Sequence, residues 1–286
     1  MMNNSEFDGK SGSCALLVPS CDAYSDLWAP FLNLFESLWP DCPFPVFLGS
    51  NQLDAGRWVT TLKSDAGLVW SDRLIDYLHQ LPHEYVLLML EDFFLRKRVS
   101  TDQLLRCLEF VDGKNAHMLR LIPRPRPNRR VPGDKLFGVC DVGAPYRICT
   151  QAAIWRRTSL LALLEPGETI WEFEIAGTER SGRYPEGFFA VSKPVIPYSG
   201  LFVHHVVEKG RWFPHQAWLF GRRGIGCDFS RRGSLSWQYT GFYHLAASAD
   251  WILDRLPLGA HQFIKRRTQS VVHRALGPLA HRLRGL

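Results

Sequence analysis

The stretch YVLLMLEDFFL, Tyr85 to Leu95, decides how this chain is read. Its first six residues are apolar without a break, the pattern of a strand buried on both faces of a sheet rather than on one. The run stops at two adjacent carboxylates, Glu91 and Asp92, and apolar residues resume at once with Phe93. The pair therefore stands where a core strand emerges, not in a polar loop. Two readings follow. One acid caps the next turn while the other pairs with a surface arginine such as Arg96 or Arg98, or the two together hold a divalent cation, Mn²⁺ or Mg²⁺, that neutralises a diphosphate.

Working outward from that strand, the flanking segments alternate in period. CALLVPS (14–20) is a short apolar run closed by Pro and Ser, a buried strand whose end is open to a ligand. SDLWAPFLNLFESLW then places Leu27, Phe31, Leu34, Phe35 and Leu38 at helical spacing. FPVFLGSN (44–51) is a second strand, and SDRLIDYLHQL sets Leu74, Ile75, Leu78 and Leu81 on one helical face, with Ser71 or Asp72 as its cap. Beyond Leu95, STDQLLRCLEFV is a helix capped by Ser100 or Thr101, and AHMLRLIP is another strand. This alternation predicts an α/β open sheet flanked by helices, with ligands bound beyond the carboxyl ends of its strands. LVPSCD, FLGSN and LLMLEDFF all deliver polar residues to that edge.

The second half is less regular. YRICTQAAIWRRTSLLALL suggests a strand leading into a helix, GETIWEFEIAGTER a further helix, and GFFAVSKPVIPYSGLFVHHVVEKGRW short strands broken by Pro and Gly. The expected organisation is a disordered start (1–13), a catalytic domain (14–230) and a basic amphipathic helical extension (231–286). In that extension Val272, Leu276, Leu279, Leu283 and Leu286 lie near helical spacing, interrupted by Pro278.

Composition narrows the functional classes. With 46% hydrophobic and 22% charged residues the chain has the makings of a real core. Its net charge of +6 is concentrated in RPRPNRR (124–130) and at the C-terminal end, patches that attract polyanions. Seven scattered cysteines without a CxxC pair argue for reduced thiols, against a disulfide framework and against a zinc site. MMNNSEFDGKSGS has no apolar signal region, and no run approaches the roughly twenty apolar residues of a membrane span. A cytoplasmic protein is expected, in solution or peripheral on the inner face of the plasma membrane.

The segments VPSCDAYSDLWAPFLNLFESLWPDCPFPVFLGSN, LPHEYVLLMLEDFFL, RICTQAAIWRRTSLLALL and WEFE, spanning Cys14 to Trp212, together resemble bacterial glycosyltransferases of the GT-A fold. The resemblance is to the group from surface-polysaccharide gene clusters. It implies a Rossmann-like GT-A sheet in which an acidic motif ends a central strand and binds a divalent cation on the diphosphate of a nucleotide-sugar donor. LEDFF occupies that place, so Glu91 and Asp92 inherit the metal role, although the two acids are adjacent where the family's pattern is Asp-x-Asp. Asp22, after the first strand, is placed near ribose or base, the alternative being that Ser20 or Asp22 caps the following helix. Asp72 and Arg73 fall in the segment lining the nucleotide pocket, the alternatives being a helix cap and a surface pair. In HHVVEKGRW, His204 or His205 would complete the metal shell and Lys209 would meet the diphosphate.

An inverting transfer also needs a carboxylate to take the acceptor hydroxyl's proton. Glu172 and Glu174, beside Trp171, are the candidates. Two apart on a helix they diverge, so at most one faces the cleft, with Glu172 slightly preferred. The expected partners are a nucleotide-sugar donor, a glycan or lipid-linked glycan acceptor, and a membrane surface met by the basic C-terminus. Competing readings are a metal-dependent phosphoester hydrolase or nuclease, which would use the same carboxylates but lacks further acidic motifs, and a non-catalytic basic protein bound to membrane or nucleic acid. No recognised nucleic-acid module is present, which argues against nucleic acid as the partner.

Overall fold

The computed structural model describes residues 12–56, 58–198 and 205–253. Among them, nine strands make one mixed sheet. The strands are β1 (Cys14–Val18), β2 (Val46–Ser50), β3 (Thr60–Lys63), β4 (Tyr85–Leu88), β5 (Met118–Arg120), β6 (Arg129–Arg130), β7 (Phe137–Val139), β8 (Ala153–Arg156) and β9 (Phe188–Val191). They lie in the order β3-β2-β1-β4-β8-β5-β9-β7-β6. β1 runs parallel to both β2 and β4, and β2 parallel to β3. β8 is antiparallel between β4 and β5, β9 is parallel to β5, and β7 and β6 follow antiparallel. From β1 the chain steps outward through β2 to β3, then returns to start β4 on β1's other side. The sheet order thus reverses between β1 and β4, the point where open α/β sheets bind ligands. The expected α/β open sheet flanked by helices is the observed architecture.

Both faces of the sheet are covered, and the strands show why. In β1, Cys14, Leu16 and Val18 enter one core layer, while Ala15 and Leu17 enter the other. A period of two on a strand buried on both sides gives an unbroken apolar run. The first layer packs α1 (Ser25–Leu38), through Leu27, Trp28, Phe31, Leu32 and Phe35, together with α3 (Thr101–Gly113). Ser100 caps α3 by accepting from the Gln103 N–H. The second layer packs α2 (Trp70–Gln80), through Leu74, Tyr77 and Leu78, with α4 (Arg157–Leu163) and α5 (Ile170–Arg180).

Tyr77 links this packing to the functional edge. Its ring lies close against Gly49, and its hydroxyl is shared between the Ser20 and Ser50 carbonyls, each 3.1 Å away. Those two carbonyls end β1 and β2, so one buried phenol sets the height of both loops.

The later chain is tied to the same body. A hairpin of β10 (Val207–Glu208) and β11 (Arg211–Trp212) turns at Lys209 and Gly210, both in the left-handed region at φ 51° and 75°. Trp212 N–H donates to Gly233 O, and Leu235 N–H donates to Trp212 O. α6 (Pro214–Arg222) and α7 (Trp237–Leu253) follow. The seven cysteines are free thiols. No described helix is long and apolar enough to cross a membrane. Residues 1–11 of the expected N-terminal segment and 254–286 of the expected extension lie outside the described residues.

Gly49→Ala drives a methyl group into the Tyr77 ring, 2.6 Å from Cζ. It is expected to lower stability by about 1–3 kcal/mol. Tyr77→Phe, which keeps the ring but frees two carbonyls, is expected to cost about 1 kcal/mol. Urea denaturation with an unchanged m-value checks both.

Candidate active site

Beyond the carboxyl ends of β1 and β4 lies a cleft of about 890 Å³. This is within the range of small-molecule and cofactor pockets, roughly 300–1,000 Å³. The loops after β1 and β4 form its floor, the first turns of α5 one wall, and the β10–β11 hairpin with α7 another.

At the floor, Glu91 is 7% exposed and accepts the Ser20 hydroxyl at 2.9 Å. Ser20 Oγ in turn accepts the Trp28 indole N–H at 2.8 Å. The relay Trp28–Ser20–Glu91 therefore spans the reversal point and fixes where the carboxylate sits. Asp92 is half-buried beside it, and its backbone carbonyl accepts the Val206 N–H at 2.8 Å. Burial pushes the Glu91 carboxyl upward, and the neighbouring Asp92 charge adds to the shift against the pull of Ser20 and Arg232. Burial likewise pushes Asp92 upward, opposed by the field of His205. Two acids in one low-dielectric place resist holding two charges.

That shortage of positive charge is the test of whether a divalent cation fits. Among the described residues, no group of three or more His, Cys, Asp or Glu side chains is arranged to hold a metal. One or two carboxylates, completed by water and substrate phosphate, are the usual holding of Mg²⁺. Glu91 and Asp92 fit that arrangement and not a closed protein cage. The expected ligand His205 lines the cleft beside Asp92, with its Nε2 3.1 Å from Glu208 Oε2 and its ring packed against Phe93, Phe213 and Tyr243. His204 lies outside the described residues.

The two α5 glutamates part as their spacing requires, but in the reverse of the expected preference. Glu172 closes a capping box, its Oε2 accepting the Thr169 N–H and hydroxyl at 2.8 Å each. It is exposed and outside the cleft lining, and those bonds hold its carboxyl below the usual range. Thr169-x-x-Glu172 is a sequence-level capping signature. Glu174 lines the cleft. Both of its hydrogen bonds, from Thr150 N–H and Thr150 Oγ1 at 2.7 Å, end on Oε1. Burial pushes its carboxyl upward against those bonds and the Arg120 charge.

Asp22 does not line the cleft. It ties down the loop after β2, accepting the Ser50 hydroxyl at 2.7 Å and the N–H groups of Asn51 and Gln52 at 3.0 Å. Burial opposes its ionisation, but these donors prevail and hold the carboxyl below the usual range. Asp72 is also outside the cleft and accepts the Gly167 N–H at 3.1 Å, pinning α2 to the loop before α5. Arg73 and Lys209 both line the cleft. Arg73 Nη1 donates to Leu68 O, and Lys209 Nζ stands 5.5 Å from the centre of the Tyr239 ring.

The structure adds residues that no sequence pattern singled out, Thr150, Tyr243 and Arg232, and gives Ser20 a role as a donor to Glu91. Tyr243 lines the cleft and its hydroxyl donates to Glu208 Oε2 at 3.4 Å. Arg232 forks onto Asp26 at 2.7 and 2.6 Å, stacks over Tyr24 at 4.4 Å, and its charge reaches Glu91 and Asp92. The partners are 206 residues apart.

No family model matches the chain, and no curated protein matches it. Among solved structures, TarS 1-349 of S. aureus in complex with UDP aligns over 96% of this chain and 87% of its own, at 15% identity and a TM-score of 0.46. The same protein with UDP-GlcNAc aligns over the same shares at 15% identity and a TM-score of 0.42. The mannosyltransferase PcManGT of Pyrobaculum calidifontis, in complex with GDP-Man and Mn²⁺, aligns over 95% of this chain and 80% of its own, at 15% identity and a TM-score of 0.47.

The upward shifts fix a pH dependence. A carboxyl harder to ionise when folded binds more protons in the native state, so its contribution to stability falls as pH rises above the ordinary carboxylate value. Burial lowers His83, His117, His215 and His244, which pulls the other way below neutrality. The readout is therefore a difference. With the Glu91 carboxyl pushed up from 4.5 to about 8, wild type is expected to lose about 3–4 kcal/mol from pH 5 to 8 relative to Glu91→Gln, at ~1.4 kcal/mol per pKa unit. Urea titrations at both pH values check it.

Proposed function

We propose that this chain is a glycosyltransferase of the GT-A type, moving a sugar from a nucleoside-diphosphate donor to a hydroxyl of a glycan or lipid-linked glycan, with inversion. One observation carries the reading. A pair of under-neutralised carboxylates, Glu91 and Asp92, shares the cleft at the sheet's reversal point with a third carboxylate, Glu174, held on a separate element.

Glu91 and Asp92 would hold Mn²⁺ or Mg²⁺, which when bound supplies positive charge to the departing diphosphate. Arg73 and Lys209 add cationic charge along the cleft wall. Glu174 acts as the base. As the acceptor oxygen bonds to the anomeric carbon, its proton passes to Glu174, and the bond to the diphosphate breaks with its electron pair leaving on the phosphate oxygen. Thr150 holds Oε1, so Oε2 is the oxygen that receives the proton. Burial keeps this carboxylate more basic than a surface one, as a general base requires.

A phosphoester hydrolase built on the same acids would need further ligands, and among the described residues no such group forms. Incubation with UDP- and GDP-sugars plus Mn²⁺ is expected to release nucleoside diphosphate, while an oligonucleotide stays intact. Glu174→Gln is expected to lower kcat by about 10²–10⁴-fold with donor binding retained. Glu172→Gln should leave kcat unchanged and lower only thermal stability. Absence of both turnover and a donor-induced rise in melting temperature would overturn the reading.

A further inference from the structure

Helix α7 is uncharged on both sides over most of its length. Trp237 to Ala249 contains no Asp, Glu, Lys or Arg over thirteen positions. One side faces inward: Thr240 is buried, Tyr243 and Ala247 line the cleft, and Tyr239 lies under Lys209. The other side faces out. Trp237, Gln238, Gly241, Phe242 and Leu245 are all exposed and fall within an arc of about 140° at 3.6 residues per turn. Trp237 is 67% exposed, Leu245 69% and Phe242 44%. Scattered exposed apolar residues need no explanation, but a contiguous uncharged helix face carrying a Trp, a Phe and a Leu calls for a cover.

We infer that this outward face of α7 docks on an anionic lipid bilayer, with Trp237, Phe242 and Leu245 entering the headgroup boundary. Charge complementarity selects this occupant. Beyond the helix and the single acid Asp254, Arg255 to Leu286 carry seven Lys or Arg and no Asp or Glu. On the described surface Arg211, Arg222 and Arg223 are exposed on the hairpin and at the end of α6. An apolar strip with Trp, followed by a polybasic segment, combines the two attractions that hold a protein on an anionic membrane surface, since neither alone is strong. A second copy of this chain would bring the same cations against each other. The helix lies on the surface and does not cross it. Because one helix carries both the docking face and a wall of the cleft, docking would set the cleft beside the lipid headgroups. The inference makes no use of nucleotide binding and stands or falls separately from the transferase reading.

The test is co-sedimentation of the full chain with vesicles of phosphatidylglycerol in phosphatidylethanolamine, with phosphatidylcholine vesicles as the neutral control. Binding is expected to the anionic vesicles alone and to weaken as salt rises. The triple variant Trp237→Ser, Phe242→Glu, Leu245→Glu is expected to reduce partitioning at least about tenfold, with its melting temperature retained. Unchanged partitioning would overturn the inference, since the basic segment would then bind unaided. So would a wild-type dimer that the triple variant dissolves, because the cover would be a second copy. Should the triple variant fail to fold, hydrogen exchange of wild type decides: peptides covering 237–253 are expected to exchange more slowly on anionic vesicles, and no change there would equally overturn it.

Discussion

Everything at the functional edge depends on a carboxylate kept where water barely reaches it. Glu91 accepts the hydroxyl of Ser20, which is itself oriented by the Trp28 indole. That bond, a backbone hydrogen bond and the more distant Arg232 charge do not offset the desolvation of an ionised acid, still less with Asp92 adjacent. The strand that delivers the pair cannot relax away from the strain, because β4 is hydrogen-bonded on both sides, to β1 and to β8. The fold therefore stores an electrostatic deficit at one place. A polyanion accompanied by a divalent cation would be drawn there because it removes the deficit, and the pair would be an odd feature of a purely structural strand end.

The surrounding elements maintain that condition. Tyr77 levels the loops after β1 and β2, and Asp22 ties the second of them down. On the far wall, Thr150 grips one oxygen of Glu174. Glu208 accepts from both His205 and Tyr243, so the hairpin and α7 are joined at the cleft. Polar groups near the cleft thus divide into those spent on holding loops and those that remain turned toward the space.

The sheet was legible in the sequence because buried strands and amphipathic helices leave different periods. β1, β2, β4 and β5 and the helices between them all follow that rule. β3 left no trace: four residues, TTLK, mostly exposed at the sheet's edge, are held by pairing with β2 rather than by a pattern of their own. Among the candidate site residues, Glu91 and Asp92 could be placed because the end of an apolar run is a position in space as well as in sequence. Asp22, Asp72 and Glu172 accept backbone N–H groups outside the cleft lining, and a carboxylate near a helix start has the same local signature whether it meets a ligand or a backbone N–H. The Thr169 capping box was the one available discriminator between Glu172 and Glu174. Thr150 and Arg232 were beyond reach, because their importance comes from long-range pairing alone.

The fork of Arg232 onto Asp26 has a consequence for how the molecule is made. Chain emerging from a ribosome presents Asp26 and Tyr24 early, while their cationic partner is still 206 residues from synthesis. Domains begin to fold from the N-terminal side during translation. In the interval the acid-bearing edge lacks a positive neighbour that the finished protein supplies. The last wall is fastened only when the arginine arrives, so a nascent sheet can assemble well before its cleft exists.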